Sequence, residues 1–327
     1  MAAANVGAVL TKGFEEEIAP PAECPSELPI GAIDTTGDSQ ARPVPVRYAP
    51  LVSLHPDEQL FPLSAECFLR NSSLVWADGA GRQEERASRG TINVAGLVRP
   101  GYAFGSHTTG DYTRPFGARR GAGLDGRRGF DLDLDDVYRG GARNVSTLPG
   151  LLGGAPVYYE YEARHYVAYW LFFGFSAPAA QLKRGGARFG GHEGDWEGIV
   201  IELDEEDRPV RVRYFAHGEE TPAIEWSRVP KYGEHPRVYS ALGSHASYSG
   251  TGRQADWDLT GRGLEWRTWL LLADARLQPW YGFGGAWGVA RVVSPRFRRI
   301  AVTFGKTIKD GEFTGPLGPS RFKNPAP

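Results

Sequence analysis

Apolar positions in this chain fall in short runs bounded by glycine and proline, and within most runs the period is two. Residues 210–215, VRVRYF, alternate strictly, as a strand does when one face meets a core and the other water. Just upstream, GHEGDWEGIVIEL (191–203) carries Glu193, Asp195, Glu197, Ile199, Ile201 and Leu203 at every second position. A strand here puts all six on one side, acidic at its start and apolar beyond, with Trp196 on the other. DEEDRP between the two runs predicts a hairpin, which brings His217 back toward the acidic end. PVYYEYEARHYVAYWLFFGFSAP (156–178) is dense in aromatic and β-branched residues, and its continuous apolar half predicts burial on both faces. In its first half Tyr159, Tyr161, Ala163 and His165 share a face. VYSALGSHASY (238–248) predicts a further strand carrying His245, and VRYAPLVSL, GVARVVS and RRIAVTF read as strands as well. Residues 63–69 predict a short helix capped by Ser64. LEWRTWLLLADA (264–275) fits neither period.

Short, hairpin-linked strands punctuated by Gly and Pro predict an all-β fold, an antiparallel β-sandwich with long loops and a few short helices. The proline-rich residues 1–45 predict an extended or disordered segment, followed by a single domain over 46–327. Residues 77–129 read as long loops, in which His107 and Asp111 have no periodic context. FDLDLDDVY (130–138) sets Asp131, Asp133 and Asp135 at alternate positions but fails the calcium-loop test at Asp136 and Ala142, so a helix start or solvated edge is expected.

A formal net charge of −2 gives no footprint for nucleic acid. Cys24 and Cys67 are too few for a cysteine framework and read as free thiols in a reducing compartment. The first residues lack the basic start of a secretory signal. The longest apolar run, Tyr166 to Phe175, is about half of a transmembrane helix. A cytoplasmic protein without a transmembrane segment follows, its oligomeric state open.

The acidic end of the 191–203 run concentrates the chemistry. Two carboxylates about 5 Å apart repel by roughly 3 kcal/mol at an effective dielectric near 20. A divalent ion, His192, an arginine from elsewhere or a shared proton has to neutralise them. The bland alternative is a set of solvated or capping acids, and Asp57–Glu58 either reach a site or, as the preferred reading, form a solvated turn. Lys183, Arg184 and Arg188 in the loop before the motif either gate it, bind an anion or are solvated.

GHEGDWE resembles the GHRHDWE heptapeptide of the necrosis-inducing protein family. YWLFFGF, HEGDWE, HPRVYSALGSHASY, WYGFGGAWG and GPLGP together resemble the vacuolar protein sorting protein 62-like family over roughly residues 46–320. The first likeness implies a β-sandwich holding a divalent cation (Mg or Ca) at a lipid-headgroup site. His192, Asp195 and Glu197 match that family's ligands, and His245 its later histidine. Glu193 and Gly194 depart from the heptapeptide, and Ser176 to Gly191 contains no acid where the family has an upstream aspartate.

Three functional readings result. The first is an intracellular enzyme performing hydration, elimination, cyclisation or hydrolysis on a small, largely apolar substrate. Glu193, Asp195, Glu197 and His245 supply acid, base or metal ligation, with His192 a further proton partner or ligand. His165, His217, Trp196, Trp280, Tyr281 and Trp287 line the substrate. The second is a non-catalytic, cation-dependent module for a lipid headgroup or glycan, with peripheral lipid contact. The third is a scaffold whose acids pin loops.

Overall fold

The computed structural model describes residues 32–33, 42–80, 83–98, 103–104, 107–108, 125–135, 154–177, 192–217, 219–254, 258–288 and 318–321. The expected strands GVARVVS and RRIAVTF, the cationic loop with Lys183, Arg184 and Arg188, and Asp111 lie outside these residues.

The predicted hairpin forms the middle of the largest sheet. His192–Leu203 pairs antiparallel with Pro209–Ala216 on one side and with Tyr166–Ser176 on the other. Val157–Glu162, Leu272–Asp274 and Ala32–Ile33 extend the sheet beyond Tyr166–Ser176, the first two pairing in parallel. A second sheet orders Lys231–Tyr232, His235–Ser240, Leu51–Ser53 and Glu265–Arg267, with Ser247–Tyr248 also pairing against His235–Ser240. A third joins Gln83–Ala87, Ser72–Ala80 and Asp125–Leu134.

These sheets form an all-β sandwich in which the large sheet is covered on both faces. Toward the second sheet, Val167, Leu171, Phe173, Ile199 and Ile201 pack with Val52, Val238 and Trp266. Toward the third, Trp170, Phe172, Trp196 and Val200 pack with Leu74, Trp76, Leu132 and Leu134. Every residue of Tyr166–Ser176 is buried, as a strand with apolar side chains on both faces requires. The Ser64 cap is also present, its side chain accepting from the Cys67 N–H at the start of helix Ala65–Arg70.

Four local expectations are corrected. VRYAPLVSL begins as a helical turn, Val44–Arg47, because Pro45 presets a helical φ at the first turn, and only Leu51–Ser53 is strand. FDLDLDDVY is described only to Asp135, and that part is not a solvated edge. Its first half completes strand Asp125–Leu134, whose Phe130, Leu132 and Leu134 enter the core. Within 77–129, expected as loops, strands and the helix Val94–Val98 are present. Cys67 is disulfide-bonded rather than a free thiol, and Cys24 is the only other cysteine in the chain.

Candidate functional site

Strand alternation aims Asp195 and Glu197 into the layer between the large and second sheets, on the side of Ile199 and Ile201. Phe173 lies directly across the sheet from Asp195. The His245 imidazole stacks on that phenyl ring at 3.8 Å and 2°. Its Nδ1 sits 2.9 Å from Asp195 Oδ2, and its Nε2 lies 4.0 Å from Glu58 Oε1. Glu58 in turn accepts backbone N–H bonds from Gln59, Leu60 and Gly243, which ties its turn to the 241–246 turn that presents His245. His245 is thus held between two carboxylates with 0% exposure.

A second pair flanks the first. His217 Nε2 is 2.9 Å from Asp258 Oδ2, while Ser244 and Tyr248 donate their hydroxyls to the same carboxylate at 2.6 and 2.8 Å. Both histidines occupy the left-handed backbone region, His217 at φ 56° and His245 at φ 55°. That conformation costs a non-glycine residue about 1–2 kcal/mol and persists only where surrounding bonds impose it. The other two such residues among those described, Arg164 and Asp207, sit in hairpin turns.

Four carboxylates therefore gather here, Glu58, Asp195, Glu197 and Asp258, and among the described residues no lysine or arginine pairs with any of them. Glu197 responds most. Burial, then the charges of Asp195 and Asp258, push its carboxyl well above the ordinary range, against one N–H bond from the His217 backbone. Glu197 Oε2 and His245 Nε2 are buried without hydrogen-bond partners among the described residues. Burial also pushes Asp258 upward, but the bonds from His217, Ser244 and Tyr248 together hold it below the usual aspartate value.

The Glu197 shift fixes the sign of a pH effect. A carboxyl that binds its proton more tightly folded than unfolded lowers stability progressively as pH rises above about 4.5, the unfolded value. Glu197→Gln, which mimics the neutral acid, is expected to raise stability at pH 7–8 and flatten the stability profile above that point. Urea melts of both proteins across pH 4–8 provide the check, and an unchanged slope contradicts the assignment.

Several sequence candidates are placed elsewhere. Glu193 does not join Asp195 and Glu197, because Gly194 at φ 58° interrupts the alternation. A Cβ on Gly194 would lie 2.0 Å from the Trp287 carbonyl, so glycine is what lets that segment approach. Glu193 then turns its carboxylate to the Leu134 N–H, 3.1 Å away, on the third-sheet side. Trp196 faces that side too, packed against Tyr158, Phe172, Trp280 and Trp287 with ring centroids 4.6–5.7 Å apart. Trp280 donates to Glu66 and Tyr281 to Glu160. The candidates Trp196, Trp280, Tyr281 and Trp287 thus belong to the opposite face of the sheet rather than to the acid–histidine cluster. His165 sits in the 163–165 turn beyond the far end of the strand, about 20 Å from Glu197 by strand rise. His107 lies in the short strand His107–Thr108.

Of the three expected cation ligands, Asp195 and Glu197 share one face of the strand and His192 stands at its start. His192 Nδ1 lies 2.8 Å from the Gly194 carbonyl, so that nitrogen is a donor, and Asp195 is engaged by His245. Among the described residues no three His, Cys, Asp or Glu side chains converge as a metal site.

Glu58 and Asp258 join the cluster although neither led the sequence reading. Glu58 looked like part of a solvated turn, and only its neighbour Asp57 is so, at 59% exposure against 2% for the Glu58 side chain. Ser244 and Tyr248 flank His245 in SHASY, and the sequence reading gave them no role. Nothing around Asp258 marks it.

No protein-family model matches the sequence. No curated protein matches it either. Among solved structures, necrosis- and ethylene-inducing protein 2 from the causal agent of cocoa's witches' broom disease aligns over 64% of this chain and 69% of its own, at TM-score 0.31 and 14% identity. NLPPya in complex with mannosamine aligns over 79% and 87%, at TM-score 0.35 and 12% identity. A structure described as a toxin fold for microbial attack and plant defense aligns over 79% and 87%, at TM-score 0.34 and 13% identity. Superposition this loose carries no function by itself.

Proposed function

We propose that this chain is a binding module for the polar headgroup of a glycan or lipid, in which the acid–histidine cluster shapes the recognition surface and makes or breaks no bond. The state of His245 carries the reading. It has no exposed atom, its ring is covered by Phe173 and its Nδ1 is committed to Asp195, so a substrate has no reacting atom to meet. Contact with a ligand falls to the rim, where the His217 side chain is 38% exposed and Asp258 lies behind it. Four carboxylates against two histidines favour a ligand that brings a positive or hydrogen-bond-donating group.

Mannosamine and glucosamine, each named in a complex with NLPPya, are the first probes, followed by a glycan array and lipid vesicles with and without chelator. Saturable binding that weakens at least tenfold in His217→Ala and Asp258→Asn is expected, about 1.4 kcal/mol. Binding that ignores both substitutions, or no binding to any probe, contradicts the proposal. The disulfide at Cys67 fits work in an oxidising compartment, in place of the cytoplasm. The likeness to the vacuolar protein sorting protein 62-like family rests on the sequence stretches alone.

One observation favours a second reading. An aspartate on Nδ1 with Nε2 unpartnered is also how an acid–base histidine is oriented, and Glu197 is a proton-holding acid beside it. Turnover of a small apolar substrate, abolished in Asp195→Asn, Glu197→Gln and His245→Ala, would establish that reading instead.

A further inference from the structure

At the start of the second sheet, away from the cluster, three rings stack. His235 lies against Trp269 at 3.8 Å and 16°, and Trp269 is nearly parallel to Tyr232, with centroids 6.5 Å apart at 9°. The support beneath is fixed. His235 Nδ1 donates to the Ala49 carbonyl at 2.7 Å, and Thr268, just before Trp269, donates its hydroxyl to the Pro50 carbonyl at 2.6 Å. The outer part is open, with Tyr232 50% and Leu270 59% exposed and Trp269 partly so. His235 precedes Ser240 by five residues on one strand, about 16 Å, and Ser240 leads into the turn that carries His245.

Two ion pairs flank the stack. Arg237 lies 6.0 Å from the Tyr232 ring centroid and pairs with Glu265 at 2.8 Å. Arg47 pairs with Glu234, two residues beyond Tyr232, at 2.6 Å. Each pair shows water both N–H donors and carboxylate acceptors. Open aromatic faces flanked by neutralised donor–acceptor pairs suit a ring that is apolar on one face and hydroxylated at its edge.

We propose that Tyr232, Trp269 and the flanking pairs form a second binding surface, separate from the His217–Asp258 rim, for the sugar ring of an uncharged glycan. The probes are cellohexaose and laminarihexaose, titrated into the full chain by calorimetry, alongside vesicles of phosphatidylcholine and phosphatidylserine at about 3:1. Saturable binding of at least one hexasaccharide is expected. It should weaken at least tenfold in Tyr232→Ala and in Trp269→Ala and persist in His217→Ala. Tyr232 is half exposed, so its variant keeps the test valid if Trp269→Ala fails to fold, with circular dichroism as the check. Failure of both saccharides, binding to the anionic vesicles alone, or saccharide binding lost in His217→Ala but kept in Tyr232→Ala overturns the proposal. The last outcome would leave the rim reading standing, whereas loss of amino-sugar binding with the stack intact would remove only the rim.

Discussion

Replacing His245 with alanine is expected to lower the unfolding free energy by about 3–5 kcal/mol, the cost of removing one partner from a buried histidine–carboxylate pair. The imidazole is enclosed, and its loss strands Asp195, at 5% side-chain exposure, facing Glu58, at 2%, with no lysine or arginine among the described residues to replace it. Removing the ring also opens a gap against Phe173, where the stacked contact is lost. Backbone strain gives an internal control. At φ 55° glycine is free of the Cβ penalty that alanine meets, so His245→Gly should recover about 1 kcal/mol relative to His245→Ala. Urea denaturation of the three proteins measures both differences. A total loss below about 1 kcal/mol would mean that the two acids are solvated instead.

Reduction of the disulfide is the other large effect. The disulfide at Cys67 limits the unfolded ensemble by about 4 kcal/mol in the chain-entropy picture. For a chain of this length the midpoint of thermal unfolding should fall by about 6 °C in reductant. Thiol titration of the native protein should find no free cysteine. Two thiols reacting under native, non-reducing conditions would contradict the pairing and restore the reducing-compartment expectation.

Much of the fold was legible because alternation is a local signal. VRVRYF and GIVIEL announce a hairpin by period alone, and the aromatic run through Phe175 announces a strand with no wet face. The three-layer arrangement was not legible, since the strand Asp125–Leu134 that builds the third layer reads as acidic. Asp131 is fully buried, and no rule of period or propensity foretells that. At the site, the positions of Asp195 and Glu197 followed from counting by twos. Glu193 broke the count because one left-handed glycine resets the phase, and the close approach of Trp287 that requires it is a contact between residues 93 positions apart. Glu58 and Asp258 were missed for a related reason. An acid in a turn looks solvated until a distant turn, here 241–246, closes over it. The aromatic candidates failed on facing, since Trp196 alternates away from the acids it sits between.

The pairing of Asp195 with His245 organises the rest of the cluster, and a double-mutant cycle reads it directly. Asp195→Asn, His245→Gln and the double variant, compared with the unaltered chain in urea at pH 7, isolate the coupling from each residue's separate cost. For a pair 2.9 Å apart and shielded from water, coupling of about 1.5 kcal/mol or more is expected. Losses that simply add, to within about 0.5 kcal/mol, would show two residues that do not meet, and the cluster described here would not exist.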